Sequence, residues 1–341
     1  MVIHAARAPL PRVAVIGSGI AGLIGARTLH ELGLEVTVFE KSRGLGGRTA
    51  TRRAEPGLSF DHGAQYFTAR DSYFVRQVET WVEQKIVAAW TGRIVTIDGG
   101  NVRPKTDQPR RYVGMPGMKA IAHHLGADLS VCLETRIVGL RRVGKSWHAT
   151  DAAGRIHGPF DQVIVSLPAP QAAELLGDHA FAAEVRAVPM TPCWAVLAAF
   201  EGRVEAAWDG AFVHGSSLAW VARNSSKPGR DRSKDCWVLH ASPGWSAANQ
   251  DLDQDTVKEA LLSAFSDVTA ARALNPVHLD AHRWLFSATP LSLDRLALFD
   301  GDTGLVVCGD WLAGGRVEGA FRSGVAAADC ILRQFGALPE T

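Results

Sequence analysis

The sequence predicts an α/β protein: a parallel-sheet domain of the dinucleotide-binding kind, intimately linked to a second domain. Three observations carry that expectation. Residues 13–40 read as strand, turn, helix and strand, with glycines at the turn. A second glycine-rich strand-to-helix turn, "CGDWLAGGRVEGAFRSG", stands at the far end of the chain, Cys308 to Gly324. Between them, residues 172–280 mix helical spacing with Trp-rich, strand-like runs. A chain of 341 residues is long for one core and short for three domains.

The elements follow in order. "VAVIG" is a β-branched run, and "IAGLIGARTLHELG" places Ile20, Leu23, Ile24 and Leu29 at helical spacing before Gly33. "EVTVFE" completes a βαβ unit, which implies a parallel sheet. Residues 41–70 carry few regular signals; a helix is expected at "SYFVRQVETWVEQ". Short strands and turns are expected over 86–112, ending in the basic "NVRPKTDQPRR". "GMPGMKAIAHHLG" reads as a turn entering a helix, and "LSVCLETRIVGLRRV", "SWHATDA" and "FDQVIVSLPAP" as three strands. "ARNSSKPGRDRSKD" reads as a polar loop. "TGLVVCGD" is a strand and "EGAFRSGVAAADCILRQFG" a long amphipathic helix.

Composition narrows the function. A net charge of +1 offers no field for nucleic acid or a membrane surface. Five cysteines, at 132, 193, 236, 308 and 330, have no CxxC spacing, so neither a metal site nor a disulfide framework is expected. The start, "MVIHAARAPLPR", lacks a signal-peptide core, and no run approaches the roughly 20 apolar residues of a membrane span. A soluble cytoplasmic protein with reduced thiols is expected.

Gly17, Gly19 and Gly22 form G-x-G-x-x-G, with Ser18, Ile20 and Ala21 filling the turn. The first glycine permits the tight turn, the second lets backbone approach a pyrophosphate, and the third lets helix meet strand. The helix N-terminus presents free N–H groups and a positive dipole end. Glu40, 23 residues after Gly17, is placed to accept ribose hydroxyls, with Lys41 beside it. This disfavours a 2′-phosphate at the site. Gly46, Gly47 and Arg48 follow, and an Arg reaching back over the pyrophosphate would make charge-assisted bonds. Arg43, Arg52 and Arg53 fit a solvated loop equally well.

The fingerprint, this "GGR", "DHGAQYF" at 61–67 and the terminal "CGDW…GRVEGAFRSG" together resemble the flavin amine-oxidase superfamily. "KSRGLGGR", "GAQYFTARD", "GPFDQVIVSLPAPQ", "WVARNSSKPGR" and "AHRW" resemble its renalase-like branch most, over about residues 12–335. The resemblance implies a Rossmann-type FAD-binding domain with an inserted α+β substrate domain, the amine-oxidase or p-hydroxybenzoate-hydroxylase-like architecture. Residues 1–69, 114–171 and 275–341 would bind FAD; 70–113 and 172–274 would form the substrate domain. It implies Ala64, Gln65 and Tyr66 near the isoalloxazine and the backbone of Ile137 at the adenine. Asp310 would meet the pyrophosphate–ribityl region. Val317 and Glu318 N–H groups, beside Arg316, would meet the flavin N1–C2=O edge. Reduction builds negative charge there, and a helix N-terminus stabilises it with fixed dipoles.

Many relatives carry a lysine near the flavin N5. By eye its place falls in "CWAVLAAF", nearest Ala195, and no lysine is present. No cysteine lies between Cys236 and Cys308, so non-covalent FAD is expected. No catalytic acid–base pair stands out. The resemblance therefore implies oxidation of dihydro isomers of NAD(P)H reduced at the 2- or 6-position, giving NAD(P)+ and, through O2, H2O2. Tyr66, Trp220, Arg223, Asn224, Lys227, Arg230, Arg283 and Trp284 are expected as walls or phosphate contacts for that dinucleotide substrate. An amine oxidase or desaturase of a small organic substrate, and a non-catalytic FAD-binding redox sensor, are the alternatives. Oligomeric state is not legible.

Overall fold

The computed structural model describes residues 10–54, 57–107, 109–271 and 274–335. Residues 1–9 of the expected signal-peptide-free start and residues 336–341 of the tail lie outside these residues.

In strand Arg12–Ile16 the residues after Arg12 are apolar and buried, as in a strand covered on both faces. It is central in a six-stranded sheet ordered Leu298–Asp300, Leu305–Val307, Gln162–Val165, Arg12–Ile16, Glu35–Phe39, Ser130–Cys132. Every neighbouring pair is parallel except Leu298–Asp300 with Leu305–Val307. Helices Ile20–Glu31 and Val317–Gln334 pack against each other on one face. A Cβ on Gly324 would stand 2.4 Å from Ala21 O, so the glycine is what permits this approach. The two glycine-rich turns are thereby held together at the carboxyl ends of the strands, at the point where strand order reverses. Open α/β sheets bind ligands there.

A second sheet has seven strands, ordered His278–Ala288, Thr191–Phe200, Asp235–Ala241, Leu218–Arg223, Gly210–His214, Ile94–Asp98, Asn101–Pro104. It is antiparallel except for Gly210–His214 against Ile94–Asp98. One face carries Trp194, Val196, Trp237, Val221 and Leu239 against helix Gln254–Thr269. The other faces Leu58 and Phe60, which lead into segment 61–67. Strand His278–Ala288, expected in the dinucleotide-binding part, pairs with Thr191–Phe200 in this sheet.

"LSVCLETRIVGLRRV" is two strands rather than one. Ser130–Cys132 ends the six-stranded sheet, and Ile137–Val143 opens a separate three-stranded sheet. Glu134, at φ 52°, makes the break. Among the described residues no helix is long and apolar enough to cross a membrane.

Candidate active site

The first turn is built by contact. A Cβ on Gly17 would lie 2.4 Å from Ser166 O, and one on Gly22 2.1 Å from Gly17 O. A Cβ on Gly19 would meet nothing within 4 Å, so this glycine keeps backbone open to a ligand. Helix Ile20–Glu31 has no side-chain cap, and its first N–H groups face that opening. Glu40 is buried and accepts from Ser18 N and Oγ at 3.0 and 2.6 Å and from Ser42 N at 2.8 Å. Thr135 N donates to Glu40 O at 2.8 Å, which brings Ile137 to the same end of the site. Lys41 is exposed just beyond.

The GGR loop lies on this turn. Gly46 N donates to Ser18 O at 2.9 Å, and a Cβ on Gly47 would stand 3.6 Å from Gly19 Cα. Arg48 reaches the other end of the chain: its Nη2 is 2.5 Å from Asp310 Oδ1 and its Nη1 donates to Ser287 O at 3.0 Å. Gly314 and Gly315, at φ 94° and 69°, turn the chain into helix Val317–Gln334, which has no side-chain cap. Its N-cap residue Arg316 is exposed. The Glu318 carboxylate accepts from Arg70 N and Asp71 N, ahead of helix Ser72–Glu83. Its Oε1 is thereby turned to the start of that helix.

Residues 61–67 run alongside. Ala64 N donates to Arg48 O at 2.8 Å. Asp61 is fully buried and sits on a charged cluster. Arg230 Nη2 is 2.5 Å from its Oδ2 and Lys227 Nζ 3.4 Å. Thr51 Oγ1 and Met118 N donate to its Oδ1 at 2.8 and 2.9 Å. Burial pushes the Asp61 carboxyl up, but Lys227 and Arg230 outweigh it and hold the group below its usual range. Lys227 also donates to Gln65 Oε1 at 3.0 Å and Asn224 Oδ1 at 3.1 Å, and Gln65 Nε2 donates to Asp61 O. Burial pushes the Lys227 ammonium down to about 8, with Asp61 opposing.

The loop "ARNSSKPGR" is therefore not a solvated phosphate-binding loop. Asn224, Lys227 and Arg230 are buried and spent on the Asp61 cluster. Arg223 fails as a substrate contact for a different reason, strand alternation. Trp220 and Ala222 face the side of Tyr66. Val221 faces the far core, and Arg223 lies there over Trp237, 3.3 Å from Asp235 and donating to Val204 O. Arg283 likewise sits over Trp194 on the far face.

Trp284 faces the site, and its Nε1 donates to His62 O at 3.0 Å. His240 Nε2 lies 3.0 Å from the same carbonyl, so Nε2 must carry the proton. His240 and His282 pair across the strands with Ala195, one on each side. The His62 ring lies 4.8 Å from those of both His282 and Trp284. Burial, aided by His282 and Arg52, pushes His62 down to about 3, and burial pushes His240 down to about 4. The imidazoles are neutral at pH 7. Tyr66 closes the other side, with its ring 5.4 Å from Trp220 and 6.1 Å from Trp90.

Residues 15–79 match the NAD(P)-binding Rossmann-like domain, and residues 98–332 match the flavin containing amine oxidoreductase family. The second match covers more than two thirds of the chain. The chain belongs to the flavin-containing amine oxidoreductases. It is similar to renalase of Mus musculus, 26% identical over 178 residues, half of each chain. It also matches a flavin-dependent L-tryptophan oxidase of Lentzea aerocolonigenes, 50% identical over 48 residues, 14% of this chain and 10% of that one. The chain thus aligns with half or less of the length of these relatives. Two solved structures share the fold at 14% identity. One is assigned as a protoporphyrinogen oxidase from Exiguobacterium (TM-score 0.77, covering 96% and 99% of the two chains). The other is a triple mutant of putrescine oxidase (TM-score 0.72, covering 95% and 100%).

The cofactor of this flavin-containing amine oxidoreductase is FAD, and the residues fit it. Gly19 and Gly314 have nothing within 4 Å of a Cβ, and two uncapped helix N-termini converge beside them. Ser18, Gly47, Arg48, Glu40 and Asp310 surround the turns through the contacts described above. Sequence reasoning passed over Asp61, Trp90 and Arg111. Arg111 ends the basic run just before strand Tyr112–Gly114, and nothing in the run's charge marks it as buried.

Proposed function

We propose that this flavin-dependent oxidoreductase oxidises 2- or 6-dihydro isomers of NAD(P)H. In the net reaction, dihydronicotinamide, O2 and a proton give NAD(P)+ and H2O2. FAD, held non-covalently, supplies the hydride acceptor and the route of electrons to O2.

One observation carries the reading. The sheet face at Ala195, where the resemblance would place a lysine, is flanked by His240 and His282, and the nearby imidazoles of His62 and His240 are held neutral by burial. Lys227 offers no substitute, because Asp61, Gln65 and Asn224 take its three donors. An amine substrate needs a group to handle its proton; a dihydronicotinamide already holds a hydride and needs only orientation. Tyr66, Trp220 and Trp284 provide aromatic walls for a planar ring.

Peroxide release is the test. The 2- and 6-dihydro isomers should give stoichiometric H2O2 under air, and a panel of primary and secondary amines should give none. Turnover of an amine without turnover of either isomer would replace this reading with amine oxidation.

A further inference from the structure

Four Arg or Lys side chains are buried among the described residues: Arg111, Arg223, Lys227 and Arg230. Three have carboxylate partners, Asp235 for Arg223 and Asp61 for Lys227 and Arg230. Arg111 has none. It is 5% exposed, its Nε is shut from solvent without an acceptor, and its Nη groups bond to no described residue. A guanidinium has five donors and no acceptor, and burying it unpaired is costly.

Its place is fixed by the fold. Arg111 O accepts from Trp90 N at 2.8 Å, and the next residue, Tyr112, exchanges two backbone bonds with Phe67. The guanidinium lies 5.3 Å from the Tyr66 ring centroid. Trp220, which also contacts Tyr66, carries a second buried donor without an acceptor, its Nε1. Trp90, in the same aromatic group, has its Nε1 satisfied by Ser226. The neighbouring Asp61, Lys227 and Arg230 together leave one positive charge over. Unmet donors, aromatic walls and surplus positive charge gather around Tyr66 and Trp90.

We infer that Arg111 and Trp220 form an anion-recognition subsite, which takes the phosphate or carboxylate of an aromatic substrate. The Arg111 fork binds the anionic oxygens, Trp220 Nε1 adds one bond, and Tyr66 lines the ring that carries the anion. The subsite rests on the reading that Tyr66 faces the flavin, and it deepens the proposed function by naming the group recognised.

The test is equilibrium binding to the oxidised, FAD-loaded protein, read by quenching of tryptophan fluorescence. Nicotinamide mononucleotide should bind at least about tenfold more tightly than nicotinamide riboside, the worth of one charge-assisted contact. Arg111→Met should erase that ratio while leaving riboside affinity and FAD content unchanged. Arg111→Lys should keep part of it, and Trp220→Phe should lower it about two- to fivefold. These two variants carry the test if Arg111→Met does not retain FAD. Nicotinate against nicotinamide tests the carboxylate. If Arg111→Met erases only that preference, the anion subsite stands and the dinucleotide reading falls. If the wild type prefers neither anion, or the variants keep its preference, the subsite is overturned, and peroxide release still judges the dinucleotide reading separately.

Discussion

Replacing Asp61 by asparagine tests the most concentrated electrostatic feature of the molecule. The carboxylate is fully buried, meets Arg230 at 2.5 Å and Lys227 at 3.4 Å, and accepts from Thr51 and Met118. The amide in its place would keep the volume and an acceptor but remove the only anion facing two buried cations. Breaking a buried pair from one side costs about 3–5 kcal/mol, a large share of the roughly 5–15 kcal/mol of a typical domain. Urea unfolding of the Asp61→Asn variant should show that loss as a lower midpoint with unchanged slope. Adding Lys227→Met removes one stranded cation, so the double variant should recover at least about 1 kcal/mol relative to additivity. An Asp61→Asn protein within about 1 kcal/mol of wild type, or strict additivity in the pair, would refute the cluster as described.

Three further outcomes are expected. Gly22→Ala puts a Cβ 2.1 Å from Gly17 O and should cost about 1–3 kcal/mol in thermal unfolding, whereas Gly19→Ala, with nothing within 4 Å, should leave stability nearly unchanged but weaken FAD binding in a fluorescence titration. The neutral His62 and His240 have folded pKa values near 3 and 4, below the unfolded value of 6.5, so their stability contribution is complete above pH 6.5 and falls as pH drops toward 4. At pH 5 each should cost about 2 kcal/mol, and a His62→Gln, His240→Gln variant should unfold with a visibly flatter pH dependence. Arg48→Met removes the partly exposed pair with Asp310, so it should cost no more than about 1 kcal/mol of stability while lowering FAD affinity.

Local patterns carried most of the cofactor site. The βαβ unit, the placement of Glu40 and the second turn at Gly314–Gly315 depend on neighbours in sequence, and glycines mark where backbone must come close. The substrate side was less legible. Arg223 and Arg283 are one residue away in strand alternation from Trp220–Ala222 and Trp284, and that single step sends their side chains to the far core. "SKPGR" reads as a solvated loop because its anion, Asp61, lies 166 and 169 residues away from Lys227 and Arg230. The unmatched charge of Arg111 becomes visible only when every other buried cation has found its carboxylate.

The proposed reaction is hydride transfer from a misreduced nicotinamide to the flavin. Anaerobic stopped-flow mixing of the FAD-loaded protein with 6-dihydro-NAD tests it most directly, read at the flavin absorption band. Bleaching within seconds is expected, one flavin per substrate, with NAD+ formed in equal amount. A band that keeps its colour with both the 2- and 6-dihydro isomers, while an amine bleaches it, would contradict that reaction.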